Sequence, residues 1–250
     1  MQQKVKRRTF AGRVLEQEVY TVAANRKDIS RAEPLERFES EEERARHRDE
    51  ISRRRQERII NENFGPQSLY STLTIDNDHE VHTFEDAGRL ADLYIRRLRY
   101  ANPDAQIMLY MGRGKSTSRI HFHMLSNGLS KETIRGKWKA GDIDRIETLR
   151  KHNYDKARGY IGRDYAGIAN YLSGHWTPEQ GGHRYKATKN LRRPKPEEPK
   201  PIKRAYSESK PPRAPEGYKL IDYKSTKYGY QYFKYVRIDE ADERPPHMRR

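Results

Sequence analysis

The chain has 250 residues, with 52 Lys and Arg against 36 Asp and Glu and a formal net charge of +16; at 33% hydrophobic content it cannot be packed core throughout, and its length allows one or two domains. It has no cysteine, which excludes disulfide scaffolds and cysteine-based zinc sites; no apolar segment follows the basic start at residues 1–8, so neither a signal peptide nor a membrane span is expected, and the protein is expected to be cytoplasmic. A basic excess of this size favours a polyanionic partner over a merely solvated surface, and 17 tyrosines among the basic residues suit stacking on unpaired bases.

Residues 1–38 are mixed in type and define no element. Charges dominate residues 40–63, where Ser40 followed by Glu41, Glu42 and Glu43 marks a helix start, because acidic groups favour the positive end of the helix dipole. Apolar positions are sparse there (Ala45, Ile51, Ile59, Ile60), so this helix is expected to be mostly solvated or to lie along nucleic acid. Gly65-Pro66 breaks it. Residues 69–75 form a β-branched, alternating run and predict a strand ending in the turn Asp76-Asn77-Asp78. Thr83 caps a helix in which Ala87, Leu90, Ala91, Tyr94 and Leu98 recur at helical spacing. Asn102-Pro103 stops it, and residues 106–111 are a second apolar strand. A basic loop over residues 112–118 follows.

That loop leads into Arg119-Ile120-His121-Phe122-His123-Met124-Leu125. Successive side chains of a strand point to opposite faces, so Ile120, Phe122 and Met124 share an apolar core side, while Arg119, His121, His123 and Leu125 share the other. Two imidazoles side by side can hold one metal ion; on their own they are equally ordinary polar residues of a half-exposed strand. Beyond the turn Asn127-Gly128, Ser130 caps a helix carrying Ile134 and Trp138. Asp142 is expected to open another carrying Ile143, Ile146 and Leu149. Residues 164–176 predict a helix, and residues 181–188 a loop entering a short basic strand. Residues 192–216 are a Pro/Lys/Glu linker, expected to be extended and mobile. Residues 218–223 and 230–236 flank Gly229 as a hairpin, which must dock on the core or on a partner because two strands alone are marginal. A disordered tail is expected from Asp239.

These elements predict an α+β fold, a mainly antiparallel sheet with helices on one face and an open metal- and DNA-binding face. Four regions are expected: residues 1–66, helical and charged; 67–191, the domain with the histidine strand; 192–216, the linker; and 217–250, the hairpin and tail.

Three stretches in this order resemble the rolling-circle replication initiators of the HUH endonuclease superfamily. Leu73-Thr74, within the strand from Tyr70 to Ile75, is similar to their Thr-rich first motif. His121-Phe122-His123 is similar to their metal motif, and residues 165–176 to the helix that presents a nucleophilic tyrosine. Lys189-Asn190-Leu191, within residues 184–194, resembles a stretch that follows the tyrosine in many bacterial and phage initiators. The resemblance covers about half the chain. It implies an HUH-like nicking domain that cuts and rejoins single-stranded origin DNA through a 5′-phosphotyrosine, with Mg²⁺ or Mn²⁺ at His121 and His123 and host replication proteins as partners. A phenol of pKa about 10 is a poor nucleophile at neutral pH and must be activated or positioned.

The chain departs from the family pattern in two places. Residues 107–111 offer no carboxylate as a third ligand, which leaves Asp76, Asp78, His79 and Glu80 as candidates. Gly174 stands where a lysine commonly follows the tyrosine, with His175 or Lys186 as alternative sources of positive charge. The helix holds two tyrosines. At about 100° per residue, Tyr165, Ile168, Ala169 and Leu172 form a buried stripe, while Tyr171 shares a flank with Gly167, Gly174 and His175. Tyr171 is therefore the expected nucleophile, and Tyr165 the alternative. Arg113, Lys115, Arg119, Arg184, Lys186 and Lys189 are the expected DNA-backbone contacts. A mobilisation relaxase or a transposase would use the same chemistry, although relaxases often carry a third histidine in the metal motif, absent here. A non-catalytic single-stranded DNA- or RNA-binding module is the alternative of another class.

Overall fold

A computed structural model describes residues 2–23, 40–79, 81–114, 119–155, 159–175, 184–226 and 229–238. Glu80, Lys115, Trp176 and the tail from Asp239 fall outside the described residues. The chain divides into two compact units, each discontinuous: one of residues 1–62, 152–164 and 193–250, the other of residues 63–151 and 165–192. Both are α+β with antiparallel sheets. Among the described residues no helix is long and apolar enough to cross a membrane.

The first unit begins with strands β1 (Gln2–Ala11) and β2 (Val14–Ala23), paired antiparallel through a turn at Gly12. The region expected to be helical thus opens as a hairpin, and its helix α1 (Glu41–Asn63) follows, with Ser40 Oγ accepting from the amide of Glu43. Gly12 has φ +56°, and a Cβ there would lie 2.1 Å from the Asn61 carbonyl oxygen, so only glycine fits.

The polar stripe of α1 is not solvated. Arg54, Glu57, Arg58 and Asn61 recur at i, i+3, i+4 and i+7, which puts them on one helix face. Glu57 and Asn61 are buried, and Arg54 and Arg58 nearly so. Arg58 pairs with Glu16 of β2. Arg54 donates to the Tyr230 hydroxyl at 2.6 Å and lies over the Tyr232 ring at 4.1 Å, and Arg7 pairs with Glu18 at 2.9 Å.

The chain's later part completes this unit. β11 (Tyr218–Ser225) and β12 (Gln231–Arg237) form the expected hairpin, and β12 docks on β2. The linker is not a free spacer. Within it β10 (Lys200–Pro201) pairs with β1, Ile202, Tyr206 and Ala214 cover Leu15, Val19, Phe233 and Tyr235, and the Pro212 carbonyl accepts from Tyr235. The small pair β7 (Asn153–Asp155) and β8 (Gly159–Gly162) also belongs here.

The second unit is a five-stranded antiparallel sheet in the order β6-β3-β5-β4-β9. Its strands are β3 (Leu69–Thr74), β4 (Gln106–Arg113), β5 (Ile120–Asn127), β6 (Ile143–Thr148) and β9 (Tyr185–Ala187). Helices α2 (Phe84–Ala101) and α3 (Lys131–Lys137) cover one face. Ala87, Ala91, Tyr94 and Leu98 of α2, with Ile134 and Trp138, close over Leu73, Ile107, Leu109, Phe122 and Met124. Burying a side chain the size of Phe122 or Leu98 is worth about 1.5–3 kcal/mol. α2 carries the expected cap: Thr83 and Asp86 bond reciprocally.

The segment expected as a helix from Asp142 is strand β6 instead. Its isoleucines are three apart, which mimics a helical period. The register of β6 on β3 shifts between Thr72 and Leu73, so that Arg145 faces Thr72, Ile143 faces Leu73 and Asp144 is the extra residue. This bulge returns Ile143 and Ile146 to the same core-facing side. α4 (Ala166–Ser173) is shorter than expected and brings its side chains to the face opposite α2 and α3, which is therefore only partly open.

The ion pairs of the first unit set a pH dependence. Lys234 of β12 is buried and donates to both Glu57 and Asp164, so two carboxylates share one ammonium. Burial, with Asp164 and Glu16 nearby, pushes the Glu57 carboxyl up to about 7 despite Lys234. A carboxyl raised on folding binds more protons folded than unfolded, so its stabilising contribution is complete below its ordinary value near 4.5 and is lost as pH rises through about 7. Glu57→Gln leaves the Lys234–Asp164 pair intact and removes that slope. Thermal melts across this range should show the wild type losing more stability than the variant; parallel curves would contradict the assignment.

Candidate metal centre and tyrosine

Strand register builds the centre. β5 lies between β3 and β4, with His121 opposite Thr74 on one side and Gly112 on the other, and His123 opposite Thr72 and Tyr110. Ile120, Phe122 and Met124 point into the core, so alternation sends both imidazoles to the other face. Their Nε2 atoms are 3.0 Å apart.

A third imidazole joins them. His175, just beyond α4, places its ring 4.3 Å from that of His123 and 5.5 Å from that of His121. One ligand atom from each of the three lies within 4.8 Å of the others, the arrangement of a metal-binding group. Of the expected third ligands, Asp76, Asp78 and His79 are exposed and stand outside this cluster. The signal for His175 in the sequence was its place four residues after Tyr171, which puts both on one helix flank.

Gly112 makes the cluster possible. β4 runs on through Gly112, so the expected loop starts later, and this residue sits beneath the imidazoles. A Cβ there would stand 3.0 Å from both His121 Nε2 and His175 Nδ1.

Electrostatics keep the imidazoles neutral. Burial, with His175 and His121 beside it, pushes His123 down to about 3. Burial also lowers His121, opposed by a hydrogen bond to the Arg119 backbone and by Asp144. Neutral imidazole is the form that binds metals. Three nitrogen donors with no proton to displace at neutral pH are a fitting donor set for a divalent transition ion.

The two tyrosines of the helix part company. Tyr165 is 5% exposed and donates to the Arg150 carbonyl at 3.2 Å, beside buried Ala169 and Leu172. Tyr171 is 52% exposed. Its ring lies 4.7 Å from that of His175 and 5.4 Å from that of His123. Tyr70 on β3 is hydrogen-bonded to Tyr171, and its hydroxyl is 2.8 Å from His123 Nδ1. Burial, reinforced by Tyr171, pushes the Tyr70 phenol up to about 12, so it keeps its proton at neutral pH. Tyr70 was seen in the sequence only as part of a strand.

An open cleft of about 450 Å³ adjoins the imidazoles, lined by Thr72, Thr74, Asp76, Arg119, Asp142 and Asp144 among others. Arg119 therefore stands beside the cluster, on the imidazole face. Arg113 stands on the other face, 5.1 Å from the Phe84 ring centroid, and Lys186 pairs there with Asp92 of α2 at 2.5 Å. Arg184 is half-buried before β9, and Lys189 is exposed in the turn after it. The expected basic surface is thus split between two faces of the sheet.

Comparison with protein-family models, with curated proteins and with solved structures finds no match.

Binding of a divalent ion is directly measurable. Calorimetry with Mn²⁺ should give one site in the wild type, weakened on the order of 10–100-fold by Gly112→Ala, which adds one methyl between two imidazoles and removes no ligand. His175→Ala should weaken it at least as much. Wild-type affinity in both variants would dissolve the three-histidine cluster as a metal site.

Proposed function

We propose that this protein is a metal-dependent tyrosine nuclease of the HUH type, which nicks and rejoins single-stranded DNA as a rolling-circle replication initiator. The observation that carries the reading is the Tyr171 phenol, half exposed, packed against two of three clustered neutral imidazoles on one sheet face. A phenol set beside a metal-ligand group, on a sheet face with a cleft alongside, suits attack on a phosphodiester. The +16 charge supports a nucleic-acid substrate.

His121, His123 and His175 would hold the ion. When bound, it would polarise the scissile phosphate and stabilise the charge that develops on it. An all-imidazole donor set favours Mn²⁺ or another transition ion over Mg²⁺, which prefers oxygen ligands. Relaxases often carry a third histidine in the metal motif; here α4 delivers the third imidazole from beside the tyrosine.

The chain's own residues do the rest. Tyr171 Oη attacks the phosphorus, the Tyr171 O–P bond forms and the P–O3′ bond breaks. The phenolic proton leaves to solvent through the exposed edge of Tyr171, and the departing 3′-oxygen takes up a proton to become a hydroxyl. The 5′-phosphate stays on the tyrosine, so the same hydroxyl can reverse the reaction and reseal the strand. Tyr165 anchors the start of the helix, and Arg119 at the cleft is placed to meet the DNA backbone.

Incubation with labelled circular single-stranded DNA and Mn²⁺, followed by a denaturing gel, tests the reading. Wild type and Tyr165→Phe should leave a covalent adduct, whereas Tyr171→Phe should leave none while keeping its fold. His121→Ala and His123→Ala should lose cleavage but largely retain DNA binding. An adduct with Tyr171→Phe, or cleavage undisturbed by chelator, would refute the assignment. Binding without any adduct across DNA flanking the gene would favour a non-catalytic single-strand binder.

A further inference from the structure

The hydroxyl of Tyr70 is where three side chains meet. It accepts from Thr72 Oγ1 at 3.1 Å, lies 2.8 Å from His123 Nδ1, and is hydrogen-bonded to Tyr171. The Tyr70 and His123 rings are stacked, 12° from parallel, and Thr72 Oγ1 is itself 3.4 Å from the same imidazole nitrogen. All of these groups except Tyr171 stand on β3 and β5, whose pairing fixes their spacing.

A phenol hydroxyl has one proton to give and two lone pairs to offer. Thr72 occupies one lone pair. One proton and one lone pair remain, to be divided between His123 and Tyr171, and only two divisions are complete. In the first, Tyr70 donates to His123 Nδ1 and accepts from Tyr171. The His123 proton then sits on Nε2, which faces His121 and cannot ligate. In the second, Nδ1–H of His123 donates to Tyr70, and Tyr70 donates to the Tyr171 oxygen. His123 Nε2 then presents a lone pair to the cluster, and the Tyr171 oxygen receives a hydrogen bond that favours its deprotonated form.

We propose that Tyr70 is a positioning residue that couples metal occupancy of the histidine cluster to readiness of the Tyr171 oxygen. With His123 Nε2 committed to an ion, only the second arrangement is left, and the Tyr70 proton is turned toward Tyr171. The metal-loaded site and the primed nucleophile are then one hydrogen-bonding state. An empty cluster permits the first arrangement, in which Tyr171 spends its own proton on Tyr70. The inference rests on the metal-and-tyrosine reading of the site, and it concerns how that site is regulated.

The test reads Mn²⁺ affinity by calorimetry on the full chain without nucleic acid. It compares the wild type, Tyr70→Phe, Tyr171→Phe and the double variant, with circular dichroism confirming that each is folded. Tyr70→Phe keeps the stacked ring and removes the partner that orients the ligand, so affinity should fall on the order of 10–100-fold. Tyr171→Phe removes no ligand and no ring, only the acceptor that stabilises the metal-competent arrangement. It should weaken Mn²⁺ binding by about 2–10-fold, the worth of one net hydrogen bond. The double variant should be no weaker than Tyr70→Phe alone, because the link is already cut; a residue with a merely structural role would give multiplied losses.

Unchanged affinity in Tyr70→Phe, or full multiplication in the double variant, would overturn the coupling. A wild type that takes up no Mn²⁺ would overturn the coupling and the metal centre together. Tyr70-dependent affinity in a protein that forms no DNA adduct would uphold the coupling and reject the nuclease, and an adduct with Tyr70-independent affinity would do the reverse.

Discussion

The alternation of side chains along β5 is the constraint on which the second unit depends. Phe122 and Met124 are fully buried under α2, and His121 and His123 occupy the intervening positions. A slip of one residue against β3 or β4 would drive two imidazoles into an apolar core and expose Phe122. The cost of burying unpaired polar groups, at about 1–3 kcal/mol each, therefore fixes the register that also builds the site. Gly112 and Tyr70 inherit their places from the same register: one lies directly across from His121, the other one pleat from His123 on the neighbouring strand. Core and site are two readings of one strand.

The two units are held together by different chemistry. In the second, an amphipathic helix closes an apolar core, and the hydrophobic effect supplies the driving force. In the first, α1 meets its sheet largely through Arg54, Glu57 and Arg58 against Glu16, Glu18 and Lys234. Desolvating those charges is expensive, and their mutual attraction offsets it only where the geometry is good. What such a network gives is selectivity of docking: each charge left without its partner would cost more than a mismatched aliphatic contact. The apolar share of that packing comes from aromatic and aliphatic residues of the strands, Val5, Tyr20, Val22, Tyr230 and Tyr232, which bracket the ion pairs.

How much of this was legible follows from the same physics. The strands β3, β4 and β5 and the helix α2 could be read because one face of each is apolar and the other is not, so the period shows. β6 was misread because a bulge at Asp144 lets residues three apart share a face of a strand, a spacing otherwise diagnostic of a helix. β1 and β2 were missed because charged residues such as Arg7, Glu16 and Glu18 occupy buried positions, where a pattern search expects apolar ones. The same inversion made α1 look solvated. At the site, His121 and His123 were visible as a local pattern, but His175 joins them only through the tertiary placement of α4. Tyr70 was invisible as anything but a strand residue, since its role depends on what lies across the ladder. Lys186 and Arg113 were drawn to the site by sequence proximity alone, and strand alternation sends both to the other face.

One turn and a half of α4 separates two tyrosines whose environments could hardly differ more. Tyr165 spends its ring on packing and its hydroxyl on the Arg150 carbonyl, and with Ala169 and Leu172 it fixes where the helix sits. That anchorage is what delivers Tyr171 and His175 to the imidazoles, since both are on the flank that the buried stripe leaves over. The helix is short, so a small rotation about its axis would move His175 out of the cluster and Tyr171 away from Tyr70 together. Precision at the site is thus borrowed from the burial of three side chains that take no part in its chemistry. Gly112 completes the arrangement from below by offering no atom that would hold the imidazoles apart.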